Sequence, residues 1–545
     1  MFKAFQSSVI NFIEKDKFLI KLICLTYIII KVFSREKALS DELIQLSSAN
    51  NFLNGFGFVE RYFNGSFIVF EQVYQWPLFY RLFSIPFLLF TNDHVLVALL
   101  LKFASILFLV ISLKYLFIYL LDNNQRNFAL NVCIVFIAFN IAPFNYGGSI
   151  DILSVSSFLA IVCFSYKYFY LGYKKTDLCF LFVFIFLLLN MRYAYLPKVF
   201  GLVCFIFLFD FYKKGFTINL LWKVGFYLLI TVNFYILLSS DYFQSTSERI
   251  VFNENIASVG SYWNMLYAVF AIPFVPDYIV LNFISQTFKV GFVDNYVFFV
   301  GIFTLLSLMI FYFVAKKTFL RVEKFSLNDN YILLMLLLGV SLNFILMILI
   351  YGFDYFYSFE KIKNTNSLIY NGIAIYNRYF MLSSSCVFLI CLYYMLVFKD
   401  TFFKFLFLFG GIFGIMHSSY LTNKYSFSRE INSAFFSFPA GSYQDSENIY
   451  KILKTKKNIL FIDNLKHDKV IKRQTNPNTF AKNSGAIIYR SIIKENKNLK
   501  KIEYSFHDFD EIIYCDFKSE ENKYLNNYLC LYSGNIYSLF KKKND

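Results

Sequence analysis

The run from Val95 to Leu121, VLVALLLKFASILFLVISLKYLFIYLL, decides the class of fold, because Lys102 and Lys114 are its only charged residues. As a helix it rises about 40 Å at 1.5 Å per residue, more than the roughly 30 Å of a bilayer's hydrocarbon core. In hydrocarbon every backbone N–H and C=O must find a partner within the protein, and a helix supplies all of them itself. The run reads as a membrane-spanning helix. Of the 545 residues, 58% are hydrophobic and 22% aromatic, against 16% charged. A soluble domain could not hide that many Phe and Tyr side chains.

Similar runs lie at residues 20–33, 128–142, 150–170, 177–190, 196–212, 219–239, 296–315, 331–351, 379–398 and 401–420. With 95–121 they make about eleven crossings, so the expected fold is an all-α polytopic membrane protein. The first run has no small-residue cleavage pattern and reads as a signal anchor. Lys3, Lys15, Lys17 and Lys21 flank it, which predicts a cytoplasmic N-terminus. The alternate loops then carry Arg126, Lys174 and Lys175, Lys213 and Lys214, Lys316 to Lys324, and Lys399 and Lys404, as cytoplasmic loops should. Residues 143–149, on the other side, have neither Lys nor Arg.

Residues 1–422 are expected to form the membrane domain, with outer loops at 34–94, 240–295 and 352–378. In the first of these, Leu43, Leu46 and Leu53 recur at helical spacing, suiting an interfacial helix that ends at Gly55 and Gly57. Pro77 to Phe90 is too short to span and predicts a second interfacial helix. From about Asn423 the chain turns polar and Lys-rich, with strand-like runs at Asn458–Asp463, Ala486–Tyr489 and Glu511–Asp516. Tyr528–Tyr532 and Ile536–Phe540, joined by Ser533-Gly534-Asn535, read as a hairpin. A small α+β domain at 423–545 is expected, on the outer side because the number of spans is odd.

The net charge of +16 sits largely in the short loops and the tail, where topology and solvation account for it, so nucleic acid is not an expected partner. His94, His417, His467 and His507 have no metal-ligand spacing. Cys515 and Cys530, outside the apolar runs, are candidates for a disulfide in an oxidising compartment.

Chemistry concentrates at the outer ends of the spans. Asp41 and Glu42 open the first-loop helix. Ser40 is placed to cap that helix, and acids in a first turn also favour the helix dipole, so electrostatics and catalysis account equally for the pair. Asp151 begins the fourth span, Arg192 follows the fifth and Arg378 precedes the tenth, all on the side of Asp41. Ionisable groups at membrane depth are expensive and commonly functional. Arginine grips phosphate oxygens through a planar fork, and a carboxylate can take the proton of an attacking hydroxyl. Two carboxylate positions and two guanidinium groups on one face suit glycosyl transfer from a lipid-borne phosphate.

The chain resembles the GT-C glycosyltransferases, multispanning enzymes that use polyprenyl-phosphate sugars and include protein O-mannosyltransferases and the aminoarabinose transferases acting on lipid A. The resemblance runs through Ser40-Asp41-Glu42 with Ala49 to Gly57, through Gln75-Trp76-Pro77-Leu78-Phe79-Tyr80, through Pro143 to Asp151, and through Asn377-Arg378-Tyr379. It implies Asp41 as the base and Arg192 and Arg378 as donor-phosphate ligands. Glu42 and Asp151 are left to orient the acceptor or to hold a divalent cation, on which family members differ. Gln75-Trp76 departs from the His-Pro often found there, and the tail matches no particular member.

The expected partners are a polyprenyl-phosphate-linked sugar, a glycan, lipid or protein acceptor, and membrane lipids. The expected place is a bacterial inner membrane, with the C-terminal domain periplasmic or extracellular. The alternatives are a flippase or other transporter of lipid-linked oligosaccharide, or a polysaccharide polymerase or ligase. A transporter favours midplane polar groups, broken helices and an internal repeat. No repeat is visible here, and the notable charges lie at one face.

Overall fold

A computed structural model describes residues 24–26, 40–63, 67–72, 78–91, 94–138, 149–172, 174–191, 196–215, 266, 269–270, 292–320, 330–341, 366–404, 407, 411, 445, 448–449, 451–452, 459–463, 487–490, 501–503, 508–515, 525, 527–534 and 537–543. The chain divides into two compact units. One holds residues 1–32 and 103–421, the other residues 33–102 and 422–545.

In chain order the described elements are α1 (Ser40–Leu53), β1 (Val59–Phe63), β2 (Phe67–Gln72), α2 (Phe79–Leu88), α3 (His94–Leu120), α4 (Asn123–Ala138), α5 (Ser149–Tyr170), α6 (Lys175–Leu189), α7 (Leu196–Lys214) and α8 (Phe292–Leu320). Then come α9 (Tyr331–Ser341), α10 (Asn366–Phe398) and strands β3 (Ile459–Asp463), β4 (Ile487–Arg490), β5 (Lys501–Glu503), β6 (Glu511–Cys515), β7 (Tyr528–Ser533) and β8 (Tyr537–Lys542).

Most described residues are helical, and three helices are long and apolar enough to cross a membrane: Leu96–Leu120, Ser149–Tyr170 and Phe380–Phe398. They fall on three of the runs read from the sequence. Leu107, Ile111 and Tyr115 form an exposed stripe along α3 at four-residue spacing, as a lipid-facing helix would. By contrast every side chain of α5 from Ser149 to Cys163 is buried. The expected run at 219–239 and most of 20–33 and 401–420 lie outside the described residues, as does most of the loop at 240–295. Of the loop expected at 352–378, residues 366–378 are helix, continuous with the span that follows.

Side-chain contacts fix the directions of the helices in the first unit. At one end, the Arg126 guanidinium donates to Ile118 O at 2.7 Å, Gln125 Nε2 donates to Leu396 O at 3.1 Å, and the rings of Tyr119 and Tyr166 lie 5.4 Å apart. The C-terminal ends of α3, α5 and α10 and the start of α4 therefore meet there. Lys167 of α5 pairs with Asp177 of α6 at 2.8 Å at the same end, and Lys213 lies over the Tyr170 ring at 4.6 Å. At mid-height the three helices α5, α9 and α10 cross at Gly339, where a Cβ would come within 2.7 Å of Phe158 and 2.9 Å of Cys386. Ser383 Oγ donates across that crossing to Gly339 O at 3.1 Å.

The second unit is an eight-stranded sheet in the order β5-β2-β1-β4-β3-β6-β8-β7. Its centre, β1-β4-β3-β6, is parallel and its flanks are antiparallel. Ile459-Leu460-Phe461-Ile462 reads as a continuous apolar run because a central parallel strand is covered on both faces. The strands expected in the tail are present, including the β7–β8 hairpin. The first loop supplies the rest: β1 and β2 come from residues 34–94, read from the sequence as a loop of the membrane domain, and pair with β4 and β5 of the tail. Val59, Ile68 and Phe70 pack in one core with Leu460, Phe509, Ile512 and Phe540.

One sequence expectation fails in this sheet. Cys530 is a free thiol, and β8 lies between its strand and the strand of Cys515. Two strand spacings amount to roughly 10 Å, beyond the Cα separation that a disulfide tolerates.

Candidate functional site

Helix α1 stops as its glycines foretell. Gly55 has φ +81° and Gly57 φ +90°, a left-handed backbone that glycine adopts without steric cost. Phe56 N–H donates to Asn51 O at 3.0 Å, closing the last turn. The described part of the helix begins at Ser40, and the residues ahead of it lie outside the described residues.

The buried face of α1 also corrects the interfacial reading. Leu46 is buried, but so are Glu42, Gln45, Ser48 and Asn51, while Leu53 at the end is exposed. A helix resting on a membrane would bury its leucines in lipid and leave those polar groups wet. Here the polar face is taken up by protein. Asn51 Nδ2 donates to Val59 O at 2.7 Å, tying α1 to β1, and α1 packs on α2. Asp41 is the second residue of the described stretch of α1. Glu42, next to it, is 3% exposed.

Two charged or titratable residues that sequence reasoning passed over are buried in the same unit. Arg81, on α2, is 5% exposed and its guanidinium lies 5.4 Å from the Phe58 ring centre. His94 opens α3 just ahead of the span, fully buried, and burial lowers its pKa from 6.5 to about 4. The available signal was a lone Arg within the apolar run 77–90 and a His at the margin of a span, which burial rather than spacing makes notable.

In the helical unit Asp151 lies in the first turn of α5 and is wholly buried. The serines around it are turned to their own helix: Ser154 Oγ donates to Ile150 O and Ser156 Oγ to Ile152 O, each at 2.7 Å. Ser154 Oγ also meets Met191 Sδ at 3.4 Å. Met191 precedes Arg192, which lies outside the described residues, as does the side chain of Arg378. Position 378 is two residues ahead of the apolar stretch Phe380–Phe398 of α10.

The helix directions bring these positions to one end. α5 and α10 run the same way, and Phe158 and Cys386 mark a common level at Gly339. Seven residues back along α5 is Asp151 and eight back along α10 is position 378, roughly 10–12 Å from that level in each case. α6 runs opposite to α5 and delivers Met191 beside Ser154. Asp151, the chain entering Arg192, and position 378 thus lie toward the end opposite Arg126, Lys174 and Lys213. Asp41 and Glu42 belong to the other unit.

Among the described residues no group of three or more His, Cys, Asp or Glu is arranged to hold a metal ion. Compared with known proteins, the chain matches no family model and no curated protein.

Proposed function

We propose that this protein is a membrane glycosyltransferase of GT-C type that moves a sugar from a polyprenyl-phosphate donor to a hydroxyl of a lipid, glycan or protein acceptor at the outer face of a bacterial inner membrane. The observation that supports this reading is the convergence in the helical unit: a wholly buried carboxylate and two chain positions leading to or bearing arginine occupy one end, and the basic loops occupy the other. A phosphate headgroup at a membrane surface is the ligand that such arginines recognise best.

In the proposed reaction Asp41 removes the proton of the acceptor hydroxyl as its oxygen attacks the anomeric carbon. The bond from that carbon to the phosphate oxygen breaks with inversion, and Arg192 and Arg378 neutralise the departing polyprenyl phosphate. Asp151 and Glu42 orient the acceptor. No step is assigned to a metal ion.

The decisive experiment supplies purified protein with polyprenyl-phosphate sugars and an acceptor extract and measures new glycosidic bonds. Asp41→Asn should lower transfer by about 100-fold or more, the usual worth of a general base. A folded Asp41→Asn protein as fast as the wild type removes that residue from the role. Movement of lipid-linked sugar across vesicles without bond formation would favour the transporter reading instead.

A further inference from the structure

We infer that the C-terminal strands and the first loop are one folded body lying wholly on one side of the membrane, and that α1, with Asp41 and Glu42, takes its position from those distant strands. The ground is the sheet itself. Tyr62 and Phe63 of β1 are in register with Tyr489 and Arg490 of β4, and Phe67, Ile68 and Val69 of β2 with Glu503, Ile502 and Lys501 of β5. Hydrogen-bonded neighbours share a compartment, because an open sheet with unpaired edges is not tolerated in hydrocarbon. The chain must then cross the bilayer an even number of times between Gln72 and Ile459.

The dependence of α1 follows from who holds whom. β1 lies between β2 and β4, so it has a first-loop strand on one side and a tail strand on the other. Val59, its first residue, is 7% exposed in a core completed by Leu460 and Ile512 of the tail. The carbonyl of that same Val59 receives the Asn51 side chain that anchors α1. Asn51 is therefore a positioning residue through which the tail sets the carboxylate-bearing helix. A hairpin such as β1–β2 has little stability alone, so the tail is a structural part of the first loop rather than an appendage.

The inference does not rest on the glycosyl-transfer reading, and its test involves no sugar. The full-length chain carries Leu53→Cys, 36% exposed at the end of α1, alongside the exposed native Cys530. A membrane-impermeant maleimide is applied to intact cells and, separately, to opened membranes, with peptide mapping to read the two thiols independently. Both thiols reacting in the same preparations is the expected result, and reaction from opposite faces overturns the inference. In a second variant, Tyr62→Cys with Tyr489→Cys, mild oxidation should join the partnered positions of β1 and β4. Two thiols that stay reactive to maleimide after oxidation overturn the pairing. Third, a Val59→Cys thiol, shielded in the intact core, should label about tenfold faster or more when Leu460→Ala is added, as local opening becomes easier. An unchanged rate overturns the dependence of the first loop on the tail.

Discussion

Two helices begin alike and are buried by opposite means. α1 opens Ser40-Asp41-Glu42 and α5 opens Ser149-Ile150-Asp151, with Glu42 3% and Asp151 0% exposed. Near Asp151 the first partners are close in sequence: serines bonded to carbonyls four residues back, and α6 folded against α5 directly after a short turn, with α9 and α10 crossing farther along at Gly339. Around Glu42 they are not. The helix is anchored to β1, and β1 is completed by strands some 400 residues farther along the chain. The same opening is thus supported in one case by helix packing that begins with the next helix along the chain and in the other by long-range strand pairing, which is slower to form and easier to disturb at a distance.

Perturbing the distant strands is the strongest test of that contrast. Leu460→Ala empties a fully buried site shared with Val59, Ile68 and Phe70 and should cost about 2–5 kcal/mol. Limited proteolysis should then show faster cleavage in residues 40–72 while α5 keeps its protection; equal loss in both segments would erase the distinction. The converse perturbation is Gly339→Ala, whose Cβ would press on Phe158 and Cys386. It should cost about 1–3 kcal/mol in the helical unit, read as a lower melting temperature with α1 protection unchanged.

Acid should separate the units as well. His94 is held neutral by burial, with a pKa lowered from 6.5 to about 4. Between those values the unfolded chain binds the proton that the folded chain refuses, so stability is complete above pH 6.5 and falls as pH drops toward 4. The loss is about 1.4 kcal/mol per pH unit in that window. Hydrogen exchange between pH 7 and 5 should show the loop-and-tail unit loosening, and His94→Gln should flatten the response. The smallest effect is expected of Asn51→Ala, which removes one side-chain hydrogen bond to Val59 O and should cost about 1 kcal/mol. It should raise the labelling rate of exposed positions in α1 without altering that of β7.

Much of the architecture was legible locally. Apolar runs long enough to span announced α3, α5 and the apolar part of α10, and alternation bounded by turn residues announced the tail strands. The first-loop hairpin carried its own local signal, since Val59–Phe63 and Phe67–Gln72 flank Asn64-Gly65-Ser66. What no local pattern carries is the partner of such a hairpin. Arg81 and His94 were missed for the same reason, because burial of a polar side chain is a property of what folds over it. The common end of Asp151, Met191 and position 378 could be expected from counting spans, but its demonstration required directions that only contacts such as Gln125 with Leu396 supply.

The sequence by itself determined that this chain carries membrane-length helices, that α1 ends at Gly55 and Gly57, and that its last quarter builds strands, since hydrophobic length, glycine backbone freedom and two-residue alternation are properties of short segments. Only the tertiary structure decided that the first loop and the last quarter share one sheet. It also decided that α1 buries a polar face and that Cys515 and Cys530 stay apart. Those outcomes depend on pairing between segments hundreds of residues apart, whose energy is gained only when both are present and in register.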